Sequence, residues 1–241
     1  TTNRATSGAF TLTNGTLDLN GKTLTLSNSS GTFVTGTGTK NITFNGGTIV
    51  LNTSAALNAF NNAVPTGFTT TAGTGIGTIS LTGGSSKIFV GGGSTFNCTL
   101  NQAGAGALTI SGNNTFNNIT NTYSATGATI ITLTAGSTQT VSSFTAAGTA
   151  GNLLTLRSST GGTQVAIVLT GGGTVSLDYL NVQDIQFTPA PATDGTTPYV
   201  WYLGANSTNS GNNTGGAFVA STTKVYQITN TATTTWTVPS D

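Results

Sequence analysis

One phrase is written four times between Ser86 and Ile185. Ile88-Phe89-Val90 is followed by Thr95-Phe96-Asn97-Cys98-Thr99-Leu100, and Leu108-Thr109-Ile110 by Thr115-Phe116-Asn117-Asn118-Ile119. Ile131-Thr132-Leu133 is followed by Thr140-Val141-Ser142-Ser143-Phe144, and Ala166-Ile167-Val168-Leu169 by Thr174-Val175-Ser176-Leu177. The apolar anchors keep a step of eight: Ile88 to Phe96, Leu108 to Phe116, Leu133 to Val141, Ile167 to Val175. Small-residue corners separate them: Gly91-Gly92-Gly93, Ser111-Gly112-Asn113, Ala135-Gly136-Ser137 and Gly171-Gly172-Gly173. The interval drifts, from 20 residues (Phe96 to Phe116) to 25 (Phe116 to Val141) and 34 (Val141 to Val175).

Short β runs with inward apolar residues at period two, broken by glycine corners and recurring every ~20–50 residues, describe a solenoid. No coil buries its apolar edge alone, so each stacks on the next. A drifting interval means that one loop per coil varies while the corner stays fixed. The expected fold is all-β: a single parallel β-helix, right-handed, with a capping segment at its C-terminal end. A propeller or sandwich would show alternating hairpin turns instead, and Asn-Gly hairpins are sparse.

The rest of the chain is read against that phrase. Ala9-Phe10-Thr11-Leu12-Thr13, Thr16-Leu17-Asp18-Leu19 and Lys22-Thr23-Leu24-Thr25-Leu26 alternate and are separated by Asn14-Gly15 and Asn20-Gly21. These are expected to be successive faces of one coil rather than a hairpin, because left-handed Asn-Gly turns also make corners. Coils are assigned to residues 1–187. Within them, residues 54–75 break the pattern and are expected to form a helical turn or a long loop that leaves the wall to cover something. Residues 188–198, with Pro189, Pro191 and Pro198, read as a loop. Residues 199–220 read as the last coil and its cap, and 221–241 as an extension or the start of a further module. The chain begins at Thr1 and stops abruptly at Asp241, so a longer parent is expected.

The span 9–220 resembles parallel β-helix (pectin-lyase-like) structural proteins of phage virions and bacterial surfaces. Within it, Trp201-Tyr202-Leu203-Gly204-Ala205-Asn206-Ser207 with Gly211-Asn212-Asn213-Thr214-Gly215 looks like a closing motif of phage structural proteins. Thr235-Trp236-Thr237-Val238-Pro239 resembles the opening of a glycine-rich phage module. The resemblance implies a homo-oligomer, a trimer by preference, and specifies architecture rather than activity.

Composition narrows the chemistry. Charged residues are 5% of the chain, against roughly 25% in an ordinary soluble domain. There is no His, no Met and no Glu; the acids are Asp18, Asp178, Asp184, Asp194 and Asp241. Without His, Ser-His and Cys-His triads and His zinc ligands are excluded within the chain. A lone Cys98 allows no intramolecular disulfide and reads as a small buried residue. Calcium nonapeptide repeats need an Asp per repeat, and none recurs. No Gly-Lys-Ser/Thr follows a glycine run, so these runs are corners rather than phosphate loops. Glycoside hydrolysis needs two carboxylates ~5–9.5 Å apart. Only Asp178 and Asp184 are candidates, and an extended strand between them would hold them ~20 Å apart unless it bent near Asn181. Each is read as a surface carboxylate at a corner, and Arg157 as an outer-face residue. No catalytic residue, cofactor or metal ligand is therefore assigned. Tyr199, Trp201 and Tyr202 are candidates either for stacking on sugar rings or for packing in the cap.

A net charge of +1 offers no footprint for nucleic acid, and no apolar run reaches the ~20 residues of a membrane span. The expected protein is a non-enzymatic virion component of a bacteriophage: a fibre, tail-associated or capsid decoration element. Its expected partners are copies of itself, other virion proteins and, in host attachment, a cell-surface glycan. The alternative is a bacterial surface adhesin or filament subunit, and the third reading a polysaccharide-degrading tailspike.

Overall fold

A computed structural model describes residues 4–55, 57–123, 129–188 and 201–219, with side chains at all of these except 171–174. The described residues are all-β without a helix, and parallel strands stack into sheets, the arrangement expected of a solenoid. The first sheet is built from Arg4–Thr6, Thr23–Ser27, Thr48–Asn52, Gly77–Leu81, Thr95–Gln102, Asn114–Asn121, Thr138–Ala147, Val165–Asp178 and Ile185–Thr188. The second is built from Phe10–Leu12, Phe33–Thr35, Leu57–Asn61, Lys87–Val90, Leu108–Ser111, Ile130–Leu133, Leu154–Ser158, Leu180–Gln183 and Thr208–Asn209. The third holds Gly15–Asp18, Lys40–Thr43 and Phe68–Thr71. Trp201–Tyr202 pairs with Gly216–Ala217 in a fourth small sheet.

The Asn-Gly pairs are corners. Phe10–Leu12, Gly15–Asp18 and Thr23–Ser27 fall into three different sheets, so the alternating runs are successive faces of a coil. Asn20 and Gly21 both take positive φ (47° and 69°), and the N–H of Lys22 donates to the Leu19 carbonyl at 2.8 Å across the turn. Asn45 and Gly46 repeat this one coil later (47° and 75°), closed by Gly47 N–H to the Phe44 carbonyl at 2.7 Å. Two successive left-handed residues suit Asn-Gly because Gly has no Cβ and the short polar side chain of Asn lowers the cost of that region.

From Thr95 onward the corner between the third and first faces loses its Asn-Gly turn. The chain instead runs through in one long strand with a register shift, between Phe96 and Thr99 and again between Val141 and Ser143. A bulge bends a strand without ending it, so the third face continues inside the long strands of the first sheet.

In-register columns make the core. Leu24, Ile49, Ile79, Leu100, Ile119, Phe144 and Val175 stack along the first face. On the second face Phe10, Phe33, Phe60 and Phe89 form a ring stack with centroids 5.2, 5.1 and 4.7 Å apart. Phe96 and Phe116 stack at 5.3 Å and meet Phe89 edge-on. Cys98 is fully buried beside Gly77, and burial pushes its thiol pKa up.

Three sequence expectations are corrected. Residues 54–75 do not leave the wall: Leu57–Asn61 and Phe68–Thr71 are strands in the second and third sheets, with Ala59, Phe60 and Phe68 in the core. Their polar neighbours hid the alternation. Ile88 is not an inward anchor either, because Lys87 and Phe89 take the inward positions of that strand. The fourth phrase does not stack on the third in the expected register. Ile131-Thr132-Leu133 pairs with Leu156-Arg157-Ser158, whereas Val168-Leu169 pairs with Thr140-Val141. The residues between Leu169 and Thr174 lie opposite Ser142 alone, so Gly171-Gly172-Gly173 is a bulge within one strand and not a corner. The structural partner of Val141 is Leu169 rather than Val175.

Candidate functional site

The two carboxylates with any claim to chemistry sit at opposite ends of the strand Leu180–Gln183, which spans roughly 13 Å at about 3.3 Å per residue. Asn181 lies inside that strand, paired with Thr155, so no bend there closes the gap. The corners are made by Tyr179 and Asp184, both left-handed (φ 53° and 58°). Asp178 Oδ1 accepts the N–H groups of Tyr179 (2.9 Å) and Asn206 (3.0 Å), and Oδ2 accepts Asn206 Nδ2 (2.8 Å). Partial burial raises its pKa, but the Asn206 amide and the two backbone donors outweigh this and hold it below the ordinary carboxylate value. Gly204 (φ 87°) is required here, since a Cβ on it would lie 2.3 Å from Asp178 Oδ1.

Asp184 is not the surface carboxylate expected from sequence. It is 2% exposed, and its Oδ1 accepts Gly162 N–H (3.1 Å) and Asn212 Nδ2 (2.6 Å). Asn206 and Asn212 of the closing motif therefore hold one aspartate each. Arg157 is exposed on the outer face, as expected.

Of the aromatic candidates, Trp201 is buried, tilted against Phe187 at 5.1 Å and edge-on to Phe144 at 6.1 Å. A sugar ring has no access to it in this arrangement. Tyr202 is half-buried, and Tyr199 lies outside the described residues.

What the sequence reading missed is a buried polar system at the corners. Lys40 and Lys87 are both within the wall, 0% and 1% exposed. Lys40 Nζ donates to the carbonyls of Val64 (3.0 Å) and Thr66 (2.8 Å). Lys87 Nζ donates to Gly83 (2.7 Å), Ser85 (3.3 Å) and Gly106 (3.0 Å), and burial lowers its pKa to about 8. Corner carbonyls turn inward where no strand partner reaches them, and an ammonium supplies three donors at once. At another corner, amides pass hydrogen bonds from coil to coil. Thr35 Oγ1 donates to Asn62 Oδ1 (2.6 Å), and Asn62 Nδ2 to the Gly91 carbonyl and Ser94 Oγ (both 2.9 Å). Asn114 Nδ2 donates to Gln139 Oε1 at 3.1 Å. The signal available in sequence was Lys87 at an inward position of an alternating strand.

The surface that remains is the outer side of the first sheet. Thr23, Thr48, Thr78, Thr99, Asn118 and Ser143 form one in-register column, and Thr25, Val50, Ser80, Asn101, Thr120 and Thr145 the next. Rungs repeat about every 4.8 Å. The strands from Thr23–Ser27 to Thr138–Ala147 carry no carboxylate, ammonium or guanidinium. Side-chain hydrogen bonds link coils on the third face as well: Asn41 is tied to Thr43, Thr69 and Thr71 at 2.8 to 3.4 Å, as Asn101 of the first sheet is to Thr120 and Thr122 at 2.9 to 3.1 Å. No group of three or more metal-ligating side chains occurs among the described residues, and no helix among them is long and apolar enough to cross a membrane.

Comparison with protein-family models, with curated proteins and with solved structures returns no match.

Proposed function

We propose that this chain is a non-enzymatic structural protein of a bacteriophage virion, a fibre, tail-associated or capsid decoration element that serves as a rigid assembly or host-attachment piece. The observation that carries this reading is where the charge goes. Lys40 and Lys87 are bound to backbone carbonyls, and Asp178 and Asp184 to asparagine amides and backbone N–H groups. Groups held in this way stiffen corners and are poorly placed to exchange protons with a substrate. The long wall of the first sheet offers a straight, uncharged, hydroxyl-rich face suited to lateral packing of copies, and a trimer is the assembly we favour. We read the coil as right-handed and Trp201, with its small sheet, as the start of its cap.

Gold-labelled antibody against the chain, applied to purified phage particles and to host cells, tests the assignment. Label on the particle is expected; label confined to the bacterial surface would make the chain an adhesin or filament subunit. Incubation with host polysaccharide should release neither reducing ends nor unsaturated sugars. Release that Asp178→Asn abolishes would make it a tailspike enzyme.

A further inference from the structure

Four neighbouring rungs of the first sheet each carry an outward pair of side chains two residues apart: Thr23 and Thr25, Thr48 and Val50, Thr78 and Ser80, Thr99 and Asn101. These rungs are the second to fifth of its nine strands and lie wholly within the described residues, so neither end of the solenoid enters. Pairing across them runs without a register shift. Rungs follow one another every ~4.8 Å, and the two columns stand roughly 6.6 Å apart along the strand. Leu24, Ile49, Ile79 and Leu100, one on each rung between the two columns, are buried and anchor the array to the core.

The hydroxyls of the first column are free. On the third face Thr69 and Thr71 spend theirs on Asn41, and further along the first sheet Thr120 and Thr122 spend theirs on Asn101. Thr48, Thr78 and Thr99 are half-buried, and their Oγ1 atoms have no hydrogen-bond partner among the described residues. A β-branched side chain has few rotamers, and in-register neighbours restrict it further. Three successive hydroxyls and methyls are therefore fixed at one spacing, and water bound to them is held at that spacing too.

What fits such a face follows from what it lacks. It offers a charged surface no partner, because these strands carry no ionisable group. It offers a sugar ring no stacking partner either, because Phe96, the one aromatic residue on these strands, is buried. Sheets that pack face to face interdigitate apolar side chains, and Val50 is the only apolar one in the array. The oxygen atoms on a prism face of hexagonal ice, by contrast, repeat at distances close to both spacings of the array.

We propose that this threonine array is an ice-binding face. Its hydroxyls hold water at lattice positions, and the methyls between them keep that layer from dispersing into the liquid. The inference goes beyond the assembly role and does not rest on it: whether antibody labels the phage particle and whether the chain binds ice are separate results.

The probe is ice itself. Fluorescein-labelled chain at micromolar concentration is present while an ice hemisphere grows slowly, and the ratio of chain in the ice to chain in the liquid is read. A protein without affinity for ice is pushed into the liquid. The wild type should be taken into the ice and should shape single crystals in a nanolitre osmometer. Thr78→Tyr sets a ring in the middle of the array and should lower incorporation about tenfold, as loss of a central contact does, with far-UV circular dichroism retained. Thr132→Tyr, on the outer side of the second sheet, should leave incorporation unchanged. Should Thr78→Tyr misfold, Thr48→Lys/Thr99→Lys on the flanking rungs decides, since it should give the same loss. The proposal is overturned if the wild type is excluded from the ice, or if the folded array variant enters it as the wild type does. A loss in Thr132→Tyr as large as in the array variant overturns it as well. Self-association in sedimentation that the array variant dissolves would make the occupant of this wall a second copy, and the ice reading would fall.

Discussion

Raising the pH from 7 to 9.5 should stabilise this protein, and Lys87 is the reason. Its ammonium is within the wall, and burial lowers its pKa to about 8 from 10.5. Between those values the unfolded chain holds the proton that the folded chain has released. Stability rises with pH wherever the unfolded state binds more protons, so the gain begins near pH 8 and levels off above 10.5. Integrated from pH 7 to 9.5, the gain is about 2 kcal/mol. Cys98 acts in the opposite direction above about pH 9, because its buried thiol stays protonated while the unfolded thiol ionises. The measurement is therefore the difference between wild type and Lys87→Met, from urea midpoints followed by far-UV circular dichroism at several pH values. The wild type should gain about 2 kcal/mol relative to Lys87→Met across the interval. A difference that stays constant with pH would mean that the carbonyls of Gly83, Ser85 and Gly106 hold the ammonium well enough to cancel desolvation, and the reasoning would be wrong.

Other perturbations follow from the same geometry. Phe60→Ala opens the middle of the phenylalanine stack and should cost about 3–5 kcal/mol in urea denaturation. Phe10→Ala, at the half-buried end of the stack, should cost clearly less. The Asp178 pKa is held below its ordinary value, so the stability it contributes is present above the unfolded pKa and lost as pH falls through the folded one. The protection of the Tyr179 and Asn206 amides, corrected for the intrinsic pH dependence of exchange, should fall in acid, and Asp178→Asn should remove that acid-dependent loss. Gly204→Ala drives a Cβ into the Asp178 carboxylate at a left-handed position and should accelerate the same amides at neutral pH. Arg157→Ala, on the exposed outer face, should stay within about 0.5 kcal/mol of wild type.

The repeating phrase was enough to determine an all-β chain of parallel strands with its apolar residues in columns. Alternation at period two and small-residue corners admit few other ways to bury Phe33, Phe96 or Leu133. The same composition pointed to a wall poor in ionisable groups, and Asn20-Gly21 announced a left-handed corner by local conformational preference alone. Tertiary structure decided the register. Sequence spacing made Gly171-Gly172-Gly173 look like a corner, but hydrogen bonding to the neighbouring strand makes it a bulge, because pairing depends on the coil beneath and not on local spacing. Residues 54–75 looked irregular because Asn and Thr interrupt the apolar pattern; stacking on Phe33 and Phe89 makes Phe60 a core residue. The inward ammonium of Lys87, the burial of Asp184 and the seat of Trp201 against Phe187 were likewise beyond local reading. Each depends on a group brought in by the coiling of the chain: Lys87 reaches Gly106, 19 residues on, as well as nearby Gly83 and Ser85, Asp184 meets Asn212, 28 residues on, and Trp201 meets the Phe187 ring.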